Sequence, residues 1–243
     1  MRAHLVYAHP ESKSFCGAMK DTTFAALTEA GHDVTISDLY TERFNPVASA
    51  SDFVVRRDTH YLSYALEQRH AIEWDTLAPD IAREVERVLA ADLLLLIFPV
   101  FWFSMPAILK GWIDRVFLSG VFYGGRRFYG RGPMVGRRAS IVASMGARAH
   151  MFGAAAIHGE IEPMFRHLIR GTLGYVGYDV LEPFWAFHVP YVSDEERRSD
   201  LSRLRRHLAR LDSLPILPVP DLSRYDGQCR ALPEAVDRGK HEP

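Results

Sequence analysis

Short apolar runs alternate with longer amphipathic stretches along most of this chain. Short apolar runs predict buried strands, and apolar positions that recur at spacings of three and four predict helices. The clearest run covers residues 93–98, LLLLIF. Its unbroken apolar character is typical of a strand that is buried on both faces of a parallel sheet.

The pattern predicts strands and helices in alternation. The predicted strands are residues 5–8, 33–39, 93–98 and 139–144, and one strand within 179–187. The predicted helices are residues 14–29, 61–74, 79–91, 106–118 and 160–173, and a last helix that carries Leu201, Leu204, Leu208 and Leu211. This alternation predicts an α/β fold, a doubly wound five-stranded parallel sheet in the order 2-1-3-4-5 with helices on both faces.

Sheets of this kind bind ligands at the carboxyl ends of their strands, where the strand order reverses. In the predicted order that place brings together residues 9–14 and 99–105. The second loop carries Phe101, Trp102 and Phe103 between Pro99 and a helix that begins near Pro106. Three large aromatic residues there either fill a core or line the site of a planar ligand, and the position at the switch point favours the ligand site.

The first loop, HPESKSF, suits a phosphate group. Lys13 and several hydroxyls precede a helix, whose free N–H groups and dipole attract an anion. Ser14 has a second interpretation, because serine at this position often serves only as an N-cap. The loop contains neither GxGxxG nor GxxxxGK[ST], which disfavours a Rossmann dinucleotide site and a nucleotide-hydrolysing P-loop.

Composition narrows the class of partner. The chain has 243 residues, and 29 Lys and Arg residues nearly cancel 30 Asp and Glu residues, so no net field attracts nucleic acid or an anionic membrane. The two cysteines, Cys16 and Cys229, form no CxxC pair, as expected of a protein from a reducing compartment. We expect a cytoplasmic protein, because the apolar stretch near the N-terminus is too short for a signal peptide and no apolar run is long enough to span a membrane.

Several motifs resemble one known family. HPESKSFCGAMK (residues 9–20), FNP (44–46), FPVFWFSMPAILKGWIDRVF (98–117), IHGE (157–160) and LEP (181–183) are similar to segments of the NAD(P)H:quinone oxidoreductases of the DT-diaphorase type, in the same order and at similar spacing. The resemblance implies a flavodoxin-like, homodimeric enzyme with FAD near the subunit interface, or FMN as the alternative. It also implies ping-pong transfer of hydride from NADPH or NADH through the flavin to a quinone-like substrate.

The resemblance assigns cofactor contacts by position. In the first loop and the helix that follows it, the matching residues are His9, Lys13, Ser14, Phe15, Cys16 and Ala18. In the aromatic loop they are Pro99, Val100, Phe101, Trp102 and Phe103. In later segments they are Met145, Gly146, Ala147 and Arg197. Cys16 is a departure, because the family often has asparagine there and a thiol is a weaker hydrogen-bond partner. We expect a small buried thiol rather than a reactive cysteine.

The loop after the fourth strand carries the catalytic candidates. His158 matches a family histidine, whereas Phe152 falls where the family has a tyrosine. A hydroxyl and an imidazole can stabilise negative charge on reduced flavin, and Phe152 has no hydroxyl, so we expect His158 to act alone or through water and flavin reduction to be slower. Two alternatives stay open for His158: a structural role, and a metal site with Glu162 and His167, which the lack of HExxH disfavours.

The substrate pocket is assigned by a looser alignment. It comprises Tyr123, Phe128, Tyr129 and Met151, and Gly125 stands where the family has a second tyrosine, which implies a wider cavity. Arg126 and Arg127 either face solvent or favour an acidic substrate or a cofactor phosphate. Phe128 and Tyr129 have an alternative interpretation as core residues.

The chain is predicted to form one flavodoxin-like, flavin-binding catalytic domain over residues 1–214. The proline-punctuated residues 215–243 are predicted to form an extended arm, which in the family packs on the partner subunit. Three functions fit the sequence: a quinone reductase, a specialised flavoenzyme that acts on one secondary metabolite, and a flavin-binding subunit that regulates a channel.

Overall fold

A computed structural model describes residues 1–233 of the chain. The strands are, in chain order, β1 (Arg2–Tyr7), β2 (Asp33–Asp38), β3 (Leu93–Pro99), β4 (Arg138–Ser144), β5 (Asp179–Val180) and β6 (Phe184–Ala186). The helices are α1 (Phe15–Glu29), α2 (Tyr64–Glu73), α3 (Pro79–Ala90), α4 (Ala107–Val116), α5 (Ile161–Met164), α6 (Arg166–Leu168) and α7 (Asp194–Leu208), and a π-helical turn covers Ile169–Gly174.

The sheet is parallel and follows the order β2-β1-β3-β4-β5, and β6 also pairs with β4. This confirms the predicted α/β fold with strand order 2-1-3-4-5 and helices on both faces. β3 lies in the centre and all seven of its residues are buried, as its continuous apolar run predicts.

The fifth position of the sheet is shared by two short strands instead of one. β5 pairs with the start of β4 and β6 with its end. Pro183 lies between them and has no N–H to donate to a ladder, which accounts for the break.

The predicted helix over residues 160–173 is wrong as a single element. Two short helices, α5 and α6, lead into the π-helical turn. Gly171 and Gly174 lower the helical propensity there. A Cβ on Gly174 would lie 2.7 Å from Val219 Cγ1, so the glycine also allows the C-terminal segment to pack closely.

Two apolar layers cover the sheet. One face packs against α1 and α7 through residues such as Met19, Leu27 and Leu204. The other packs against α3 and α4, where Val85 and Trp112 are buried. α4 lies directly on the FNP segment, because a Cβ on Gly111 would be 2.1 Å from the Pro46 carbonyl oxygen.

The chain after α7 returns to the edge of the sheet. The Pro215 carbonyl accepts a hydrogen bond from the Glu182 N–H (2.8 Å), and the Leu217 N–H donates to the Val180 carbonyl (2.7 Å). Packing of residues 215–243 on a partner subunit stays a prediction, and residues 234–243 lie outside the described part of the chain. None of the helices within residues 1–233 has the length and apolar character needed to cross a bilayer.

Candidate active site

A cavity of about 720 Å³ opens at the carboxyl ends of β1, β3 and β4. Its volume falls within the range of about 300–1,000 Å³ that is usual for small-molecule sites. The loops after these strands and the first turns of α7 line it, with His9, Lys13, Ser14, Phe15, Cys16, Ala18, Pro99, Val100, Phe101, Ser144, Met145, Gly146, Val189, Pro190, Asp194, Arg197, Arg198 and Leu201. We refer to it as the main cavity.

The main cavity brings together all but three of the residues that the sequence assigns to the cofactor. The exceptions are Trp102, Phe103 and Ala147. Sequence reasoning missed Ser144, Val189, Pro190, Asp194, Arg198 and Leu201. One signal was present, because Ser193 and Glu196 form a capping box that marks the start of α7, but the sequence does not show that this start lies beside the cavity.

The N-terminus of α1 faces the main cavity. Ser14 Oγ accepts a hydrogen bond from the Gly17 N–H at 3.1 Å, so this hydroxyl is the N-cap of the helix. Helical geometry leaves the N–H groups of Phe15 and Cys16 without an intrahelical acceptor. These two N–H groups are therefore available to an anion in the cavity.

His9 is held by the backbone of its own loop. The Glu11 N–H donates to His9 Nδ1 at 3.0 Å. The Glu11 carbonyl oxygen also lies 3.0 Å from Nδ1, so the ring is bonded to the Glu11 backbone in either tautomer. His9 is thus held in place at the rim of the main cavity.

Gly17 allows the first loop to fold tightly onto α1. A Cβ at this position would lie 2.1 Å from the Ser12 carbonyl oxygen and 3.2 Å from the Tyr7 hydroxyl. The loop can adopt this path only with glycine at position 17.

Cys16 lies on the floor of the main cavity. Its side chain is buried and is hydrogen-bonded to Ser144, and burial raises the pKa of the thiol to about 12. The side chain is therefore a neutral thiol near neutral pH, as expected of a small buried cysteine.

The aromatic loop forms a two-residue turn. Phe101 and Ser104 exchange backbone hydrogen bonds of 2.9 and 3.0 Å, and Trp102 (φ 51°) and Phe103 (φ 56°) both adopt left-handed backbone conformations. Such conformations are strained for bulky residues. Phe101, Trp102 and Phe103 are 46%, 97% and 44% exposed, so the interpretation of this loop as a core plug is wrong.

Two contacts anchor the turn. The Val100 N–H donates to the Ser144 carbonyl at 2.7 Å, which ties the end of β3 to the end of β4. His167 Nε2 lies 3.0 Å from Ser104 Oγ, while His167 Nδ1 lies 3.1 Å from the Met164 carbonyl. The turn is thus held from the sheet and from α6.

His158 is not among the residues that line the main cavity, and it packs against the aromatic turn. Its ring contacts Phe103 at a centroid distance of 5.1 Å and Phe152 at 5.2 Å, and Phe152 packs on Phe187 at 5.7 Å. The His158 N–H donates to the Met151 carbonyl at 3.0 Å. The two catalytic candidates are therefore adjacent to each other and to the aromatic turn.

The metal interpretation of His158 has no cluster to support it. Within residues 1–233, no three His, Cys, Asp or Glu side chains are placed to hold a metal ion.

The predicted substrate residues form two separate groups. Phe128 stacks on Tyr175 (centroids 5.9 Å apart, planes at 9°), and Tyr129 and Tyr123 lie 5.5 and 6.5 Å from the same ring. Met151 lies instead beside His158. Neither group lines the main cavity. The tyrosine cluster, defined as Tyr123, Phe128, Tyr129 and Tyr175, thus has no contact with the main cavity within one chain.

The charged side chains that line the main cavity are mostly cationic. Lys13, Arg197 and Arg198 line it together with a single carboxylate, Asp194, whose Oδ1 lies 2.7 Å from Arg197 Nη1. With the N-terminus of α1, this excess of positive charge suits a ligand with phosphate groups.

Comparison with known proteins places the chain among flavodoxin-like enzymes. A family model described as "Flavodoxin-like fold" matches residues 1–208. The chain is 34% identical to NAD(P)H dehydrogenase (quinone) 1 of Cavia porcellus over 221 residues, which is 90% of this chain and 80% of that protein. It is 39% identical to ribosyldihydronicotinamide dehydrogenase (quinone) of Rattus norvegicus over 195 residues, which is 80% of this chain and 84% of that protein.

A solved structure has the same architecture over nearly the whole length. A putative quinone reductase from Klebsiella pneumoniae superposes with a TM-score of 0.92 at 32% sequence identity, and the match covers 96% of this chain and 95% of that one.

Proposed function

This chain belongs to the flavodoxin-like NAD(P)H dehydrogenases (quinone), and we propose that it transfers hydride from NAD(P)H through bound FAD to a quinone by a ping-pong mechanism. As a member it is a flavin-dependent oxidoreductase that acts on quinone-like substrates. We propose three further details: that the flavin is FAD, that the two half-reactions occur in turn, and that NAD(P)H is the donor.

The proposal rests on one observation: the two ends of the main cavity differ in chemical character. One end has the N-terminus of α1 with Lys13, which suits phosphate groups. The other end has Pro99, Val100 and Phe101, where backbone and aromatic groups suit a planar ring. A flavin nucleotide has a ring and a phosphate end joined by a chain, so this arrangement fits it.

The reach of the cavity to α7 supports FAD over FMN. Beyond the α1 terminus, the cavity continues to Arg197, Arg198 and Leu201. FMN has one phosphate and ends there, whereas FAD has a second phosphate and an adenosine that need a further cationic and apolar surface. Arg197 and Arg198 supply the charge and Leu201 the apolar contact.

A flavin held by the residues of the main cavity would supply a ring that can accept and deliver a hydride. The aromatic turn would orient that ring and shield it from water. His158 carries an imidazole beside that turn, and in the proposal it stabilises the negative charge that develops on the reduced ring, directly or through water. Phe152 adds only apolar surface.

A homodimer with the active site near the subunit interface accounts for two features of the single chain. Trp102 is 97% exposed at the tip of a strained turn, which is unusual for so large an apolar residue. The tyrosine cluster, which includes the predicted substrate residues Tyr123, Phe128 and Tyr129, lies apart from the main cavity. Association of two copies would bring such surfaces together.

The donor is proposed to be NADPH or NADH. Among the relatives, one is named for NAD(P)H and the other for ribosyldihydronicotinamide, a donor that lacks the dinucleotide's phosphate groups.

The proposal is tested by identifying the cofactor and the kinetic order together. The purified protein is denatured, and the released cofactor is identified by its mass and absorbance. Initial rates are then measured with NADPH and menadione both varied. We expect FAD and parallel double-reciprocal plots. FMN would overturn the choice of FAD, and intersecting plots would overturn the ping-pong order.

Two variants connect the cofactor to the residues. Arg197→Gln is expected to weaken FAD retention, while Lys110→Gln, which removes an exposed cation paired with Asp114 on α4, is expected to retain FAD as the wild type does. Equal retention in both variants would show that the α7 end of the cavity does not hold the adenosine half.

A specialised flavoenzyme is the second candidate, and the Phe152–His158 contact favours it. The phenyl ring beside the imidazole offers no hydroxyl, so this pair suits one specific acceptor rather than quinones in general. Retained flavin with no turnover of menadione or benzoquinone would favour this candidate, or a regulatory subunit, over quinone reduction.

A further inference from the structure

Ser104 closes the aromatic turn, and its side chain meets a residue from another part of the chain. The Ser104 backbone exchanges hydrogen bonds of 2.9 and 3.0 Å with Phe101, which lines the main cavity. The Ser104 hydroxyl oxygen lies 3.0 Å from Nε2 of His167, which belongs to α6. From the sequence, His167 was a candidate only for a metal site, and residues 1–233 contain no cluster placed to hold a metal. The contact with Ser104 points to a different role.

The hydrogen bonds of His167 determine how its ring meets Ser104. Nδ1 lies 3.1 Å from the Met164 carbonyl oxygen, which can only accept a hydrogen bond. We therefore assign the proton of the neutral ring to Nδ1, which leaves Nε2 to accept a hydrogen bond from the Ser104 hydroxyl. The ring is thus held at both nitrogens, and one of its two bonds is to the aromatic turn.

The His167 ring also rests on a buried base. It lies against Phe165, with centroids 6.3 Å apart and planes at 24°. Phe165 is buried, and it packs on Phe98 of β3 at 6.5 Å and on Trp185 of β6 at 4.8 Å. The Thr172 hydroxyl donates to the His167 carbonyl at 3.0 Å. His167 is therefore fixed to the sheet and to its own helix, and it can hold a more mobile partner in place.

The aromatic turn needs such an anchor because its backbone is strained. The left-handed conformations of Trp102 and Phe103 are unfavourable for residues with large side chains, and they persist only where surrounding contacts hold them. Trp102 is almost fully exposed, so its own side chain adds little packing. The contacts at the ends of the turn must therefore hold it, and the bond between Ser104 and His167 is one of them.

The conformation of this turn affects two parts of the candidate site. Phe101 lines the main cavity. The ring of Phe103 contacts the imidazole of His158 at a centroid distance of 5.1 Å. A displaced turn would therefore alter both the surface offered to the cofactor and the surface against which His158 packs.

We propose that His167 is a positioning residue that acts through Ser104 and holds the aromatic turn in the conformation that presents Phe101 to the cofactor. This inference rests on the proposed function, which gives the turn the task of supporting the flavin ring. It assigns His167 an effect on the ring and none on the phosphate end of the cofactor, because Lys13 and the N-terminus of α1 belong to a different loop.

The test begins with variants that remove the contact from either side. His167→Ala removes the acceptor, and Ser104→Ala removes the donor. His167 is exposed and Ser104 is half-buried, so both variants are expected to fold. Hydrogen exchange of the flavin-loaded protein is followed by mass spectrometry in a peptide that spans residues 101–104. The bonded N–H groups of the turn should exchange about fivefold faster in each variant, because the turn opens more easily without this hydrogen bond.

The bound flavin supplies the second readout. The visible circular dichroism of the flavin reports the surroundings of its ring, and it needs neither a nucleotide nor a quinone. We expect both variants to change this spectrum, to retain as much flavin as the wild type and to be reduced by NADPH about fivefold more slowly. The double variant should be reduced no more slowly than either single variant, because both changes remove the same contact.

Two further variants separate this contact from the general loss of a side chain. His167→Gln keeps an amide oxygen that can accept the Ser104 hydroxyl, so it should restore slow exchange and most of the rate. His32→Ala is the matched control, because it removes a half-buried imidazole that does not line the main cavity. It should behave as the wild type does.

Three results would overturn the inference. Unchanged exchange in His167→Ala would show that this residue does not hold the turn. Faster exchange with an unchanged flavin spectrum and an unchanged rate would show a structural role only. Losses that add up in the double variant would show that His167 does not act through Ser104.

These results can be told apart from a failure of the proposed function. If NADPH does not reduce the flavin, the proposed function fails, and the exchange and the flavin spectrum still decide the role of His167. Changes in both that His167→Gln restores support the inference, and a change in neither overturns it. A protein that binds no flavin would overturn both the proposed function and the inference.

Discussion

The ring of Phe152 packs against the imidazole of His158, with centroids 5.2 Å apart and planes at 48°. No hydroxyl stands at this contact, and His158 also touches Phe103 of the aromatic turn. The imidazole is therefore the polar group that this pair offers to a developing negative charge.

Changes at this pair are expected to alter the rate of flavin reduction in opposite directions. Phe152→Tyr adds a hydroxyl beside His158 and should raise the rate constant about tenfold, since one added donor to a developing anion is worth that much or more. His158→Ala should lower it by about tenfold to a hundredfold. Stopped-flow reduction by NADPH measures both.

Phe152→Leu is the control, because it keeps an apolar side chain and adds no donor, and it should leave the rate near that of the wild type. An unchanged rate in His158→Ala together with no gain in Phe152→Tyr would remove His158 from the reaction.

Gly17 is expected to be required for cofactor binding, because its Cα lies close to the Ser12 carbonyl group. In Gly17→Ala the new Cβ meets the Ser12 carbonyl at 2.1 Å, so the first loop must move away from the N-terminus of α1. We expect loss of most of the bound flavin and a fall of about 2 kcal/mol or more in the free energy of unfolding. Flavin absorbance after gel filtration and urea denaturation measure the two effects.

Gly171→Ala is the matched control, because its Cβ would meet nothing closer than 3.8 Å, an ordinary contact. It should retain flavin. Full retention of flavin in Gly17→Ala as well would mean that the first loop does not shape the cofactor site.

The two cysteines are expected to differ in reactivity. Burial raises the pKa of Cys16 to about 12, so only about one thiol in ten thousand is ionised at pH 8. Cys229 is exposed. Iodoacetamide at pH 8 should alkylate one thiol in the native wild type and none in the native Cys229→Ser variant. In urea it should alkylate both thiols of the wild type. Mass spectrometry that found Cys16 alkylated in the native protein would contradict the buried, neutral thiol.

His4 is expected to make stability depend on pH. Burial lowers its pKa from 6.5 to about 4, and its ring contacts the hydroxyls of Thr35 and Ser37. His4 therefore takes up a proton near pH 6.5 in the unfolded chain but only near pH 4 in the folded chain. As the pH falls from about 6.5 towards 4, the free energy of unfolding decreases because of this group, by about 3 kcal/mol in all.

This pH effect is isolated with His4→Gln. The variant should be less stable than the wild type at pH 8, but its free energy of unfolding should fall less steeply between pH 6.5 and 4. Urea denaturation at several pH values measures the difference, and equal slopes for the two proteins would show that His4 is not the group responsible.

The strand order could be predicted because its main signals are local. The apolar run of β3 marks a central strand, and the alternation with helices then fixes the parallel topology. Two features could not be predicted, because they depend on packing between distant segments. One is the division of the last strand at Pro183, and the other is the interruption of the helix predicted over residues 160–173. Gly174, for example, is required because Val219 comes back onto it from a distant part of the chain.

The candidate site shows the same division. Loops after β1 and β3 could be assigned to one site, because the topology places the ends of these strands together. The contribution of Asp194 and Arg198 could not, since it depends on how α7 crosses the sheet. Tyr123, Phe128 and Tyr129 were assigned by resemblance, whereas the packing of Tyr175 against them and the separation of the cluster from the main cavity are properties of the single chain that the sequence does not reveal.

The proposed function requires that hydride passes from NAD(P)H to a quinone in two separate half-reactions. The most direct measurement is an anaerobic titration of the purified protein with NADPH, removal of the nucleotide by gel filtration, and then addition of menadione, while the flavin absorbance is followed. We predict that about one equivalent of NADPH bleaches the flavin and that menadione alone restores the full absorbance. A flavin that NADPH does not bleach, or a bleached flavin that menadione does not restore, would contradict the account.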